Sequence, residues 1–222
     1  MITARLKTIA DMIHESVVTA DIGTDHALLP VYLIRNRIAE KAYACDVREG
    51  PLKMALKNIA DYELEDRVIP ILSDGFDRVP ADTDTAVIAG MGFYTAVDIL
   101  ERALDRLPSL KRIIVEVNHD EDKMRRWISD QHYTIEEEAV VSDRGFCYSI
   151  TAFSAKPHPS YSEEEILCGV SAEMKKTPAY REYAERQIRK YEQITVRAKD
   201  PSVIENARCL KTIWKKQIEN AE

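Results

Sequence analysis

Apolar positions in the first 155 residues alternate between a helical spacing and short continuous runs, the signature of strands and helices taken in turn. Leu6, Ile9, Ala10 and Ile13 lie three and four apart, which predicts a short amphipathic helix over residues 4–14 with Arg5 and Lys7 on its exposed side. The stretch from Val17 to Pro30 then reads as a buried strand, a loop whose one glycine is Gly23, and the start of a helix over 27–38. Pro30 is tolerated in its first turn because the earliest helical N–H groups have no helical partner anyway. The pattern repeats with a strand at 42–46, a helix at 51–62 and a strand at 68–72, where Pro70 predicts a sheet edge because proline cannot donate to a ladder.

Further strands are predicted at 85–89 and 112–117, the second followed by a helix carrying Met124 and Trp127. Segments 133–139 and 146–153 read as an antiparallel pair closing the sheet. The expected fold is α/β, a Rossmann-like sheet of seven strands, with Asp21, Asp46, Asp74 and Gly90 along the carboxyl edge where such sheets bind ligands. Lys156-Pro157-His158-Pro159-Ser160 has no periodicity and two prolines, so the expected division is a domain over 1–155, a linker over 156–161 and a helical domain over 162–222. In that last part Tyr180, Ala184, Ile188, Tyr191, Ile194 and Ala198 form one stripe. Val203, Ala207, Leu210, Trp214, Ile218 and Ala221 form another, and Asp200-Pro201 between them starts a second helix. The expectation is an antiparallel, coiled-coil-like hairpin whose tyrosines fill its seam.

Composition narrows the class. With 31% charged and 45% apolar residues, the 222-residue chain has the make-up of a soluble globular protein, and no apolar run approaches a membrane span. The N-terminal residues carry neither a long hydrophobic segment nor a cleavage site. Cys45, Cys147, Cys168 and Cys209 are scattered without metal-type spacing, as reduced thiols are, so a cytoplasmic location and no metal site are expected. A net charge of −7 argues against indiscriminate binding to nucleic acid and leaves a local basic face open.

Candidate chemistry centres on the first loop. Asp46 ends a strand some twenty residues after that loop, the place of the acidic residue that holds ribose hydroxyls in nucleoside-binding βαβ units. A dinucleotide loop brings several glycines to a pyrophosphate, whereas Gly23 stands alone between Asp21 and Asp25. Two carboxylates repel a pyrophosphate and suit a ligand carrying an ammonium and a sulfonium, which favours S-adenosylmethionine (SAM) over NAD. The plainer alternative is an ordinary strand end with Asp25 capping a helix.

Asp21-Ile22-Gly23-Thr24-Asp25-His26-Ala27, Glu49-Gly50-Pro51, Asp74-Gly75 and Ile88-Ala89-Gly90-Met91-Gly92, in that order and followed by a helical tail, resemble the bacterial tRNA adenine-22 N1-methyltransferase family. The resemblance implies a class I methyltransferase domain with a C-terminal coiled coil, SAM as cofactor, tRNA as partner and methylation at N1 of an adenine. It further implies that the loop from Asp21 to His26, including Gly23 and Asp25, borders the methionine part of SAM. Asp46 would hold the ribose, Asp74 and Gly75 would flank the adenine, and Gly90 with Met91 would line the floor beneath the reacting methyl. The family's Gln-Pro-Asn after the fifth strand is Glu116-Val117-Asn118 here, Phe93 replaces a glycine, Leu28 a tyrosine, and Phe146-Cys147-Tyr148-Ser149 a Lys-Phe-Tyr-Glu run. These changes fall on the substrate side and leave open another RNA, a small-molecule acceptor, or a SAM-binding module without transfer activity.

N1 of adenine has a free lone pair and becomes cationic on methylation, so what helps is an acceptor near the developing charge. The catalytic candidates are the side-chain carbonyl of Asn118 and the carboxylate of Asp25, each of which is also placed to cap a helix. Glu116 reads either as an inward acceptor for an exocyclic amine or as a strand-end side chain in solvent, and Tyr148 and Phe93 as stacking faces or core. Arg5, Lys7, Arg35, Arg37, Arg48, Lys53, Lys57, Lys123, Arg125 and Arg126 are candidate tRNA contacts, with Lys175, Lys176, Arg189 and Lys190 in the tail.

Overall fold

The computed structural model describes residues 2–14 and 16–219. Helix α1 (Ala4–Asp11) precedes β1 (Val18–Ile22), α2 (Leu28–Arg35), β2 (Lys41–Asp46), α3 (Glu49–Asp61), β3 (Val68–Leu72) and β4 (Thr85–Met91). Then come α4 (Phe93–Glu101), β5 (Arg112–Val117), α5 (Glu121–Asp130), β6 (Tyr133–Asp143) and β7 (Phe146–Pro157). The tail holds α6 (Glu163–Cys168), α7 (Ala172–Lys175), α8 (Pro178–Arg197) and α9 (Pro201–Glu219).

The seven strands form one sheet in the order β3-β2-β1-β4-β5-β7-β6. β1 to β5 pair in parallel and β7 runs antiparallel between β5 and β6. Pro70 sits on β3, the edge strand, opposite Ala44, where its missing N–H breaks no second ladder. Alternate residues of each strand feed two cores. Ala20, Ile22, Ile88, Ile113 and Val115 face α4 and α5, while Ala42, Ala44, Val87 and Ile114 face α1, α2 and α3.

Two expectations are corrected. The helix predicted over 27–38 is shorter, because His26 and Ala27 (φ 58° and 53°) and Arg37 (φ 58°) adopt left-handed backbone that ends helical propagation at both sides. Lys156 and Pro157 belong to β7, and the segment beyond them is packed down: Tyr161 is buried, its backbone N–H donating to Ser129 and its hydroxyl accepting the N–H of Ile135. The tail is likewise seated on the sheet. Val140 of β6 joins Cys168, Met174, Tyr180, Tyr183, Ala184 and Trp214 in a third core, which places Tyr180 and Tyr183 as packing residues. Burying a large apolar side chain contributes on the order of 2–3 kcal/mol, and Trp214 brings that burial to the core between the α8–α9 hairpin and β6, offset in part by an indole N–H with no partner among the described residues.

No helix among the described residues is long and apolar enough to cross a membrane. The described residues also contain no group of three or more His, Cys, Asp or Glu placed to hold a metal.

Candidate functional site

The carboxyl ends of β1, β2 and β4 and the turn after β3 enclose a cleft of about 320 Å³ lined by Gly23, Asp46, Asp74, Gly75, Gly90 and Met91, among others. Its near wall is a suspended loop: the N–H groups of Gly23 and Thr24 both donate to the carbonyl of Cys45 at 2.8 Å. That pair of bonds hangs the loop from β2 and sets Gly23 beside Asp46. Gly23 takes φ +82°, and a Cβ there would lie 2.6 Å from Met91 Cε, so only glycine leaves the wall open without moving Met91.

Asp46 is buried, with Oδ1 accepting the backbone N–H of Arg48 at 2.8 Å. No described residue donates to its other oxygen. Asp21 lies beneath the loop, buried, accepting the Thr24 hydroxyl at 2.6 Å. Burial pushes its carboxyl up to about 6, against the pull of Thr24 and of the Arg5 charge. Asp25 and His26 are exposed at the rim, paired with each other at 3.2 Å, and line neither this cleft nor the one described next. Asp25 does not cap α2, whose N-cap position is Ala27 with no side-chain bond.

Asp74 is held at 2.8 Å by Arg102, the residue that caps the C-terminus of α4, and Arg102 also reaches Asp98 at 3.2 Å. Arg102 lines the cleft and escaped the sequence reading, since nothing in an arginine at a helix end announces that it folds back on a loop 28 residues earlier.

A second cleft of about 390 Å³ opens on the other side of the β4 end, lined by Asn118, Glu121, Phe146, Tyr148, Tyr183 and Arg186, among others. Arg186 of α8 donates to the carbonyl of Gly145 at 3.0 Å, so the tail helix forms one wall. Gly90 of the first cleft is tied by a hydrogen bond to Asn118 of the second, and it is the extra residue where β4 slips its register against β5 between Ala89 and Met91. Asn118 clamps this bulge: its backbone N–H donates to Met91 O at 3.0 Å and its side-chain amide to Gly90 O at 3.3 Å. Because a carbonyl only accepts, the Asn118 NH₂ must face Gly90, which turns its own carbonyl away from the bulge. Asn118 is therefore not the α5 cap; that position is Asp120.

Glu116 turns inward and is fully buried, accepting the Gly90 N–H at 3.0 Å and Arg5 Nη1 at 2.6 Å. Arg5 is thus not on the exposed side of α1. Arg125 is also corrected: it is 1% exposed, bonded to Glu138 at 2.6 Å and to Ser149 at 3.0 Å, and touches no solvent-facing ligand. Lys7, Lys53, Lys123 and Arg126 are exposed but paired with Asp11, Glu49, Asp120 and Glu163. Phe93 packs part-buried at the start of α4, outside the second cleft, while Tyr148 is on its wall.

A family profile described as a methyltransferase domain matches residues 2–151. The chain is 31% identical over 155 residues to the tRNA (adenine(22)-N(1))-methyltransferase of Bacillus subtilis (strain 168), a match spanning 69% of this chain and 65% of that relative. It is similar in structure to M. capricolum TrmK in complex with the natural cofactor product S-adenosyl-homocysteine (TM-score 0.87, 27% identity, 100% of both chains). It shares the fold of the B. subtilis M1A22 tRNA methyltransferase TrmK (TM-score 0.83, 24% identity, 98% of this chain and 99% of that one).

Proposed function

The chain belongs to the methyltransferase-domain family, and from that premise we propose that it is a member of the bacterial tRNA adenine-22 N1-methyltransferase group and transfers a methyl group from SAM to N1 of an adenine in tRNA. The observation that carries this reading is Asp46: a buried carboxylate at a strand tip, one oxygen fixed by a backbone N–H and the other without a donor among the described residues, facing a cleft walled by Gly23 and Gly90. That arrangement fits a nucleoside ribose.

SAM supplies an electrophilic methyl group on a sulfonium. The chain's residues bind and align. Asp46 takes the ribose hydroxyls, and Asp74 and Gly75 flank the adenine ring, with Arg102 fixing the Asp74 carboxylate. Gly90 and Met91 form the floor at the boundary with the acceptor cleft. Asp21 acts from beneath the loop through its field and through Thr24. The acceptor base lies against Tyr148, with N1 turned toward the floor; no proton has to be removed from it, so the work left is alignment and exclusion of water. Asn118 carries the catalytic role, its side-chain carbonyl directed away from Gly90 to accept from the base as positive charge develops. Asp25, at the rim beside His26, contributes negative potential to the cofactor's approach and no contact at the acceptor.

Incubation with methyl-labelled SAM and unmodified tRNA, followed by nuclease digestion and mapping of the label, tests the reading. Label at N1 of adenine 22 is expected. Label on another atom or nucleotide, or SAM binding with no transfer to any tRNA, overturns it.

A further inference from the structure

A carboxylate removed from water must be matched by charge and hydrogen bonds, and Glu116 is matched on one oxygen only. Its Oε2 takes both Arg5 Nη1 at 2.6 Å and the Gly90 N–H at 3.0 Å, while Oε1 is buried with no partner among the described residues. An arginine removed from this arrangement would leave the negative charge stranded, a situation far costlier than the loss of one surface pair.

Arg5 reaches further than that one bond. Its guanidinium carbon lies 5.2 Å from the ring centroid of Tyr148, within cation–π range, and Nη1 comes within 3.1 Å of where a Cβ at Gly90 would sit. Its backbone N–H donates to Asp143 Oδ2 at 3.2 Å, which ties the start of α1 to the end of β6. One side chain thus touches the Gly90 bulge of the first cleft and the aromatic wall of the second. Glu116 on β5 and Asn118 just past its end grip opposite ends of Gly90, one its N–H and the other its carbonyl.

We propose that Arg5 is a positioning residue of the transfer site, which by pairing with Glu116 and stacking on Tyr148 holds the Gly90 floor and the acceptor's aromatic wall in a single fixed relation. The inference rests on the methyltransferase reading above and concerns how the two halves of that site are kept aligned. Arg5 acts through Glu116 on one side and through Tyr148 on the other. Misplacing reacting atoms by a fraction of an ångström lowers the rate of an in-line displacement far more than it lowers binding of either partner.

The test measures S-adenosyl-homocysteine (SAH) affinity by calorimetry, thermal melting, and kcat and KM for tRNA in Arg5→Met, Arg5→Lys and Arg5→Met/Glu116→Gln. For Arg5→Met, kcat is expected to fall by about a hundredfold and SAH affinity by about tenfold, with KM for tRNA within about threefold of the parent. In the double variant the amide still accepts the Gly90 N–H and no charge is stranded, so SAH affinity is expected to return to within about threefold while kcat stays at least tenfold low, roughly, for want of the stack on Tyr148. Arg5→Lys keeps the charge and is the variant to rely on if Arg5→Met does not fold; it is expected to bind SAH normally and to lose about fivefold or more in kcat. Loss confined to KM for tRNA identifies Arg5 as a phosphate contact and overturns the proposal. Parent-like kcat in Arg5→Lys, or a double variant that regains full kcat, overturns it too. If the parent protein methylates no tRNA, the failure belongs to the proposed function, and the SAH affinities still report whether Arg5 holds the floor.

Discussion

Asp46 and Arg48 are joined by a bond from the Arg48 backbone N–H to Asp46 Oδ1 at 2.8 Å, which locks the carboxylate in one orientation at the tip of β2. The oxygen left over faces the cleft already fixed, so little ordering is lost when a diol binds. Asp46→Ala is expected to weaken SAH binding by roughly 1–3 kcal/mol, the loss of hydrogen bonds to a charged acceptor. Asp46→Asn keeps one acceptor and should lose less. Calorimetry with SAH reads both, and unchanged affinity in Asp46→Ala would remove the residue from the site.

Gly23 offers a second test, because two separate costs meet there. Its φ of +82° disfavours any L side chain by about 1–2 kcal/mol, and its missing Cβ leaves room for Met91 Cε. Gly23→Ala is expected to lower stability to urea by about that amount and to drive Met91 into the cleft, weakening SAH binding by about tenfold. Adding Met91→Ala should recover part of the binding and none of the stability, since backbone strain is untouched by the second change. Equal recovery of both would show that the strain was never there.

Much of this was legible in the chain. The alternation of strands and helices, the edge position of β3 and the carboxylate at the tip of β2 follow from apolar runs, one proline and one spacing. What could not be read were side chains whose partners come from distant elements. Arg5 and Arg125 have the local pattern of exposed helical cations, yet each is drawn inward by a glutamate on a strand more than ten residues away, Glu116 and Glu138. Arg102 and Arg186 join the clefts by the same kind of tertiary approach. The packing of Tyr161 was missed for a related reason: the prolines around it signalled a linker, but a single buried aromatic with both backbone and hydroxyl satisfied is enough to seat a segment.

The Arg125–Glu138 pair sets the expected response to losing one partner. Both side chains are essentially inaccessible, 2.6 Å apart, and Glu138 also accepts the Ser171 N–H at 3.1 Å. Glu138→Gln leaves the guanidinium charge buried without its counter-charge and is expected to cost about 3–5 kcal/mol in urea unfolding. Arg125→Met/Glu138→Met removes both charges and should cost less than either single change. The salt dependence of tRNA binding should be the same in any folded variant, because Arg125 has no access to a phosphate; a shallower slope would return it to the RNA-binding face.

Asp21 makes stability depend on pH in a direction opposite to most carboxylates. Burial raises its pKa from 3.8 to about 6, so the folded chain holds a proton that the unfolded chain has released. The folded state therefore binds more protons between those two values, and the stabilisation present below pH 3.8 is lost as pH rises through about 6. Asp21→Asn keeps an acceptor for the Thr24 hydroxyl and carries no proton equilibrium. Its stability should lack this downward step and exceed the parent's at pH 7 by about 1–3 kcal/mol, read from urea unfolding at several pH values. Above the step the parent's ionised Asp21 sits below the loop that borders the cleft, where it favours a cationic ligand over a neutral one of the same shape. Asp21→Asn should accordingly lose affinity for SAM by more than for SAH, whose sulfur is uncharged. Equal losses for the two ligands would mean that Asp21 shapes the loop through Thr24 and contributes no charge to the site, and a stability difference between parent and Asp21→Asn that does not change between pH 4 and 6 would mean that burial does not raise its pKa.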